Sequence, residues 1–204
     1  YVKKIGINIE QMLKMINEIL DLDRIETSRG VQYEKIAANE IVNAVAKDFH
    51  ILAAQKQIEL TTEGNLEQED FHFWADGFLM RQALHNLVDN AIKFTSVNGK
   101  VKIAVEQQND EIVFSVSDNG IGIAPIDQAR LFDKFYKVER VNYSREEDKV
   151  SESSKLQTWK TSVGLGLAIV KSIAERHQGR VWVESRLGKG STFYLAVPIH
   201  PHSE

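Results

Sequence analysis

Leu84-His85-Asn86-Leu87-Val88-Asp89-Asn90-Ala91-Ile92-Lys93-Phe94, closed by Asn98-Gly99 and followed by the runs Lys100–Glu106 and Glu111–Ser117, decides the fold. Its first part places Leu79, Ala83, Leu84, Leu87, Val88 and Ala91 on one side, which predicts a core-facing helix over Phe78–Phe94. Beyond Asn98-Gly99 the apolar period changes to two, the period of a half-buried strand. Asn109-Asp110 is turn chemistry, so these two strands form a hairpin.

Working towards the C-terminus, a short helix is predicted over Asp127–Phe135 and a longer one over Gly164–His177, ended by Gly179. Val181–Ser185 and Ser191–Val197 form a last hairpin turned at Gly188-Lys189-Gly190. Val141–Thr161 is polar, too poor in apolar residues to order itself, and reads as a surface loop. Towards the N-terminus, strands are predicted over Val31–Ile36, Ile58–Thr62 and Phe71–Ala75, with an acidic turn at Gly64–Asp70. A helix runs to about Gln55 with Asn39 as its cap. Ile5, Ile9, Met12, Ile16 and Ile19, widened by Leu13 and Leu20, make a heptad-like stripe on one long N-terminal helix that fades between Arg24 and Gly30. Strands and helices mix without a regular βαβ repeat. The expected fold is therefore α+β: a two-layer α/β sandwich, its mixed sheet covered by helices on one face, preceded by a long N-terminal helix.

Composition narrows the function. The 204 residues include no cysteine, which excludes disulfides, thiolate metal sites and cysteine nucleophiles. A net charge of −4 disfavours nucleic acid as a partner. No apolar run approaches the roughly 20 residues that span a bilayer, so no membrane contact is expected from this chain. Tyr1 is not an initiator methionine and no signal-peptide pattern follows it, so the chain reads as part of a longer protein.

Four clusters carry chemistry. Asn86, Asn90 and Lys93 share one helical face, where an amide oxygen suits magnesium and a lysine suits phosphate. Asp118-Asn119-Gly120-Ile121-Gly122-Ile123 follows a strand; its aspartate can accept from an exocyclic amine, and its glycines permit close backbone approach. Gly164-Leu165-Gly166-Leu167 opens a helix, whose free N–H groups favour phosphate. It has neither the Rossmann nor the P-loop spacing. Gly188-Lys189-Gly190-Ser191-Thr192-Phe193 forms the last turn. Taken singly, a solvated helix face, an Asx turn, a hinge and a plain hairpin account for them equally well.

Their order is more specific. Asn-x3-Asn-x2-Lys, Asp-x-Gly-x-Gly, Phe-x2-Phe-Tyr, Gly-Leu-Gly-Leu and Gly-x-Gly-Ser-Thr-Phe in succession resemble the ATP-binding domain of sensor histidine kinases, over about residues 71–198. The resemblance implies ATP and Mg2+ as ligands, with Asn90 on the metal and Asn86 and Lys93 facing the phosphates. It sets Phe94 near the base or ribose and Asp118 on the adenine amine. Gly120, Gly122 and Ile123 would line that pocket, with Thr192 holding adenine through water. Gly164, Leu165, Gly166 and Leu167 would flank the phosphates at the end of a nucleotide lid spanning about 137–163. Phe132, Phe135 and Tyr136 would lie on the lid's near side, and Lys137 would help neutralise charge. Lys137 stands where the family often has arginine, and Ser162-Val163-Gly164 carries one glycine fewer than the usual lid end. Residues 1–29 are similar to the second helix of a dimerisation hairpin, and 30–204 to the catalytic domain.

Gyrase and chaperone relatives of this fold carry a glutamate four residues before the magnesium asparagine, as general base. Here that position is Asn86, which takes no proton. A neutral imidazole needs less help, so the resemblance implies transfer to histidine rather than hydrolysis, with a same-fold ATPase or a nucleotide-binding module without transfer activity as the alternatives. None of the six histidines precedes an acidic residue, as the family's acceptor usually does. The acceptor is therefore expected on a helix outside this chain, and the chain alone is expected not to autophosphorylate. Expected partners are ATP or ADP, the histidine-bearing hairpin of the same or a partner subunit, a homodimeric full-length protein and a response-regulator receiver domain. A cytoplasmic location follows from the same resemblance, whatever anchors a longer parent.

Overall fold

The computed structural model describes residues 2–27, 30–63, 71–138 and 164–200. The expected turn at Gly64–Asp70, the polar loop Val141–Thr161 and nearly all of the expected lid lie outside the described residues. Helices are α1 (Val2–Thr27), α2 (Ala38–Gln55), α3 (Gly77–Phe94), α4 (Pro125–Gln128) and α5 (Gly166–Arg176). Strands are β1 (Glu34–Ala37), β2 (Glu59–Glu63), β3 (His72–Ala75), β4 (Lys100–Gln108), β5 (Glu111–Asp118), β6 (Arg180–Arg186) and β7 (Gly190–Pro198).

Five strands form one sheet in the order β2-β4-β5-β7-β6. β2 and β4 are parallel and the other pairs antiparallel, which gives the mixed sheet the alternation implied. β1 and β3 pair separately as a two-stranded antiparallel ribbon. The helix-covered face carries Ile103 and Val105 of β4, Phe114 and Val116 of β5, and Phe193, Leu195 and Val197 of β7, all buried. Opposite them α2 contributes Val42, Val45 and Phe49, α3 Leu84, Leu87 and Val88, and α5 Ile169, Val170 and Ile173. The result is a two-layer sandwich, as the sequence implies.

α3 is fixed at its start by Asp76, whose Oδ1 accepts from the N–H of Leu79 at 3.1 Å. Asn39 does not cap α2: the N-cap is Ala37, and Asn39 lies inside the helix at 3% exposure. The Asp127–Phe135 helix shortens to the single turn of α4, and Phe135 has φ +63, which no helix continues through. α1 keeps Ile9, Met12, Leu13, Ile16, Ile19 and Leu20 exposed, whereas Leu22 and Ile25 enter the common core. Full burial of such a side chain contributes about 1.5–3 kcal/mol. Arg176 at the end of α5 also donates to the carbonyls of Ile25 and Gly30, and Gln82 of α3 donates to Asp21 at 3.0 Å. The last two turns of α1 thus pack with residues beyond position 30. Among the described residues no helix is long and apolar enough to cross a membrane.

Candidate functional site

α3 acts as a ruler. Its sheet-facing side is buried, and Asn86, Asn90 and Lys93 stand half-buried on another. Asn86, Asn90 and Phe94 are each four residues apart, so they span about 12 Å along the axis.

At the Asn86 end, α5 begins. A Cβ added to Gly166 would stand 3.3 Å from Oδ1 of Asn86. Asn86 Nδ2 donates to the Gln82 carbonyl at 3.1 Å, which turns its amide oxygen towards the head of α5. The N-cap of α5 is Leu165, whose side chain makes no capping hydrogen bond. Among the described residues its first N–H groups, with the positive end of the helix dipole, are thus left for an anion. Gly166 and Leu167 are half-buried beside Asn86, Leu165 is buried, and Gly164 precedes them with φ +82.

At the Phe94 end lies the loop after β5. Ile121 donates its N–H towards the Phe94 carbonyl at 3.4 Å, and Gly188 donates to Ile121 at 2.7 Å. A Cβ on Gly120 would strike the Phe94 carbonyl, and one on Gly122 the Arg186 carbonyl. The glycines thus admit neighbouring protein backbone, where the sequence reading expected them to admit a ligand. Gly122 also has φ +67, which favours glycine. Asp118 lies on the helix-covered face with Phe114 and Val116. Burial raises its carboxyl pKa, and the N–H groups of Gly120, at 2.8 Å, and Ser191 oppose that shift.

The register of β5 and β7 corrects one expectation. Asp118 pairs with Ser191, and Ser117 with Thr192. Successive side chains point to opposite faces of a sheet. Thr192 therefore faces away from Asp118, and its hydroxyl lies 3.0 Å from that of Ser117 on the helix-free face. Ser191, 7% exposed, is the hydroxyl residue of β7 on the Asp118 face. Sequence reasoning missed it because Ser191 and Thr192 differ only in parity.

Asn90 lies between the two ends. Among the described residues its side chain has no hydrogen-bond partner. Lys93 forms an ion pair with Asp89, one turn back, with 18% and 22% of the two side chains exposed. Lys137 is exposed, at the edge of the described residues. Phe132 packs edge-on against Phe193 at 6.4 Å, and Tyr136 donates to Asp127 at 2.7 Å with the Arg130 guanidinium 4.5 Å over its ring. Phe135 is 61% exposed, so Phe132 and the buried Leu131 anchor this segment, and Phe135 does not. The N–H of Phe135 donates to the Gly164 carbonyl at 3.0 Å, which joins the two ends of the interval expected to be a lid.

His85 is exposed, with its ring 4.4 Å from that of Phe49. His177, at the end of α5, is 1% exposed. Among the described residues no three His, Cys, Asp or Glu side chains form a metal-binding group.

A helix head whose N-cap offers no side-chain bond and a half-buried carboxylate at opposite ends of one polar helix face, on a sandwich of this topology, define the class: a histidine-kinase-type catalytic ATPase domain. The chain belongs to the family of histidine kinase-, DNA gyrase B- and HSP90-like ATPases, whose model matches residues 75–201. It is 33% identical over 199 residues to the circadian input-output histidine kinase CikA of Synechococcus elongatus, a match covering 97% of this chain and 24% of that protein. Full-length ShkA, solved in complex with AMPPNP, aligns with a TM-score of 0.75 and 26% identity over 95% of this chain and 37% of that one. The catalytic domain of the histidine kinase ThkA aligns with a TM-score of 0.66 and 26% identity, covering 84% and 99% of the two chains. The chain spans between 24% and 49% of the length of the curated relatives named in these matches.

Proposed function

We propose that the chain binds Mg·ATP along the polar face of α3 and transfers the γ-phosphoryl group to a histidine carried on a helical hairpin. The observation that supports this reading is the two-ended geometry of α3. Asp118, at the Phe94 end, suits the exocyclic amine of adenine. The open head of α5, at the Asn86 end, suits phosphate. The helix face between the two ends, about 12 Å long from Asn86 to Phe94, leaves room for a ribose. Phe94, Ile123 and the loop glycines would border the base, with Ser191 in the place the sequence reading gave to Thr192. Gly164–Leu167 would border the phosphates.

Asn90 fits magnesium: its half-buried carboxamide offers a hard oxygen uncommitted to any side-chain hydrogen bond among the described residues. When bound there, the ion would neutralise charge on the phosphate oxygens. Asn86 would face the phosphates but has no basicity to activate water. Lys93 would reach phosphate only by sharing its charge with Asp89. The acceptor imidazole nitrogen would form the new P–N bond as the bond from the γ-phosphorus to the bridging oxygen breaks. ADP leaves, and the imidazole gives its proton to solvent. Residues 1–29 would be the second helix of the hairpin and 30–204 the catalytic domain, the hairpin pairing two subunits. A response-regulator aspartate would receive the group next.

The test is a labelling experiment with γ-labelled Mg·ATP. Label should appear on a separately supplied histidine-bearing hairpin of the parent protein, acid-labile as phosphohistidine is, and not on this chain alone. Steady release of inorganic phosphate without the hairpin, or no transfer to it, contradicts the reading.

A further inference from the structure

Ser185 sits on β6, the edge strand, and none of the roles above uses it. Its hydroxyl donates to the Gly190 carbonyl at 2.8 Å and accepts the N–H of Ile123 at 2.8 Å. It also stands 3.0 Å from the Ser191 hydroxyl. Since its own proton is committed to Gly190, it accepts there too. One donor and two lone pairs are all that a serine hydroxyl has, so this one is saturated. Gln128, the last residue of α4, supplies the complement. Its Nε2 donates to the carbonyl of Ile123 and to the carbonyl of Ser185, each at 3.0 Å.

Both backbone polar groups of Ile123 are thus held by side chains, one from 62 residues away and one from the next element. Ile123 ends the loop that starts at Asp118. A loop of this kind ordinarily leaves such groups to water. Here they are fixed to the strand that neighbours β7, and Ser191 of β7 is part of the same chain of hydroxyls.

We propose that Ser185 and Gln128 are positioning residues of the nucleotide pocket: by pinning the N–H and carbonyl of Ile123 they hold the loop 119–123 at the depth the base requires. The inference rests on the nucleotide site proposed above. Its physical basis is preorganisation. A loop already held in its bound geometry loses no further freedom when the ligand arrives, and the affinity keeps what ordering would have cost. A role confined to stability would show in the melting temperature and not in the affinity of the folded protein.

The experiment compares Mg·ADP affinity by calorimetry with the melting temperature of the nucleotide-free chain. The proteins are wild type, Ser185→Ala, Ser185→Thr, Gln128→Glu and the double variant Ser185→Ala/Gln128→Glu. Ser185→Ala and Gln128→Glu should each weaken ADP binding roughly three- to tenfold, the value of a lost hydrogen bond, in a protein that stays fully folded at the temperature of the titration, its melting temperature lower by a few degrees. Ser185→Thr, which keeps the hydroxyl, should restore affinity. The double variant should lose little more than the weaker-binding single variant, because both residues act through Ile123. Should Ser185→Ala fail to fold, Gln128→Glu gives the same readout. Unchanged affinity in both single variants, with wild-type binding intact, overturns the inference and leaves the nucleotide site standing. So does a loss of affinity that merely tracks the melting temperature and is not restored by Ser185→Thr. A wild-type chain that does not bind Mg·ADP overturns both.

Discussion

The backbone N–H of Asp76 donates to Nε2 of His177 at 3.0 Å, across 101 residues of sequence. Asp76 caps α3 and His177 closes α5, so this bond joins the start of one site helix to the end of the other. The other ring nitrogen, Nδ1, lies 2.8 Å from the Ile173 carbonyl. Since Nε2 must accept, the ring is neutral with its proton on Nδ1. Tyr33 packs edge-on against it at 5.7 Å.

His177 makes stability depend on pH. Burial pushes its pKa below the usual histidine value; the Ile173 carbonyl and Asp76 oppose the shift, and Arg176 adds to it. The folded state therefore binds fewer protons than the unfolded state. The stabilisation is fully present above about pH 6.5 and is lost as pH falls through the depressed folded value. Melting temperature measured from pH 8 to pH 5 should decline across that window. His177→Gln should lose stability at pH 8 and show a flatter decline.

The register of β7 predicts a contrast between neighbours. Thr192→Ala should leave Mg·ADP affinity within about twofold of wild type. Ser191→Ala, which removes a hydroxyl on the Asp118 face, should weaken binding by about 0.5–1.5 kcal/mol. Titration calorimetry on the two variants decides it, and the reverse order would contradict the face assignment.

Gly190→Ala should be among the more damaging single substitutions. The residue has φ +102, and a Cβ there would run into the Asp118 carbonyl. Strain and clash together should cost more than about 2 kcal/mol, read as a shifted denaturant midpoint with unchanged slope.

Asn90→Ala bears on the metal. Wild-type ADP affinity should rise when magnesium is added. In the variant most of that rise should vanish while the metal-free affinity persists. An undiminished magnesium effect would place the ion elsewhere.

Much of this architecture was legible in the sequence for a local reason. The switch from period 3.6 in Phe78–Phe94 to period 2 in Lys100–Ser117 needs no distant partner to be read, and the helix and hairpin formed where that switch placed them. The errors arose where tertiary contacts override local preference. Asn39 has good capping chemistry, yet its position is buried and the N-cap falls two residues earlier, at Ala37. Phe135 continues an apolar spacing, but its backbone turns left-handed to bond Gly164. Thr192 lies one residue beyond Ser191, and in a strand one residue is the opposite face. Ser185 and Gln128 gave no local signal, because what they hold lies 62 and 5 residues away across elements whose adjacency the sequence does not spell out. Asp118 was readable because its strand and its glycine turn are both local.

Asp118 is the residue on which the account turns. Titration of Mg·ADP into the wild-type chain and into Asp118→Ala tests it most directly. The wild type should bind, and the substitution should weaken binding by about 1.5–3 kcal/mol, the value of a hydrogen bond to a charged group. Equal affinity in the two proteins, or no binding by the wild type, would contradict it.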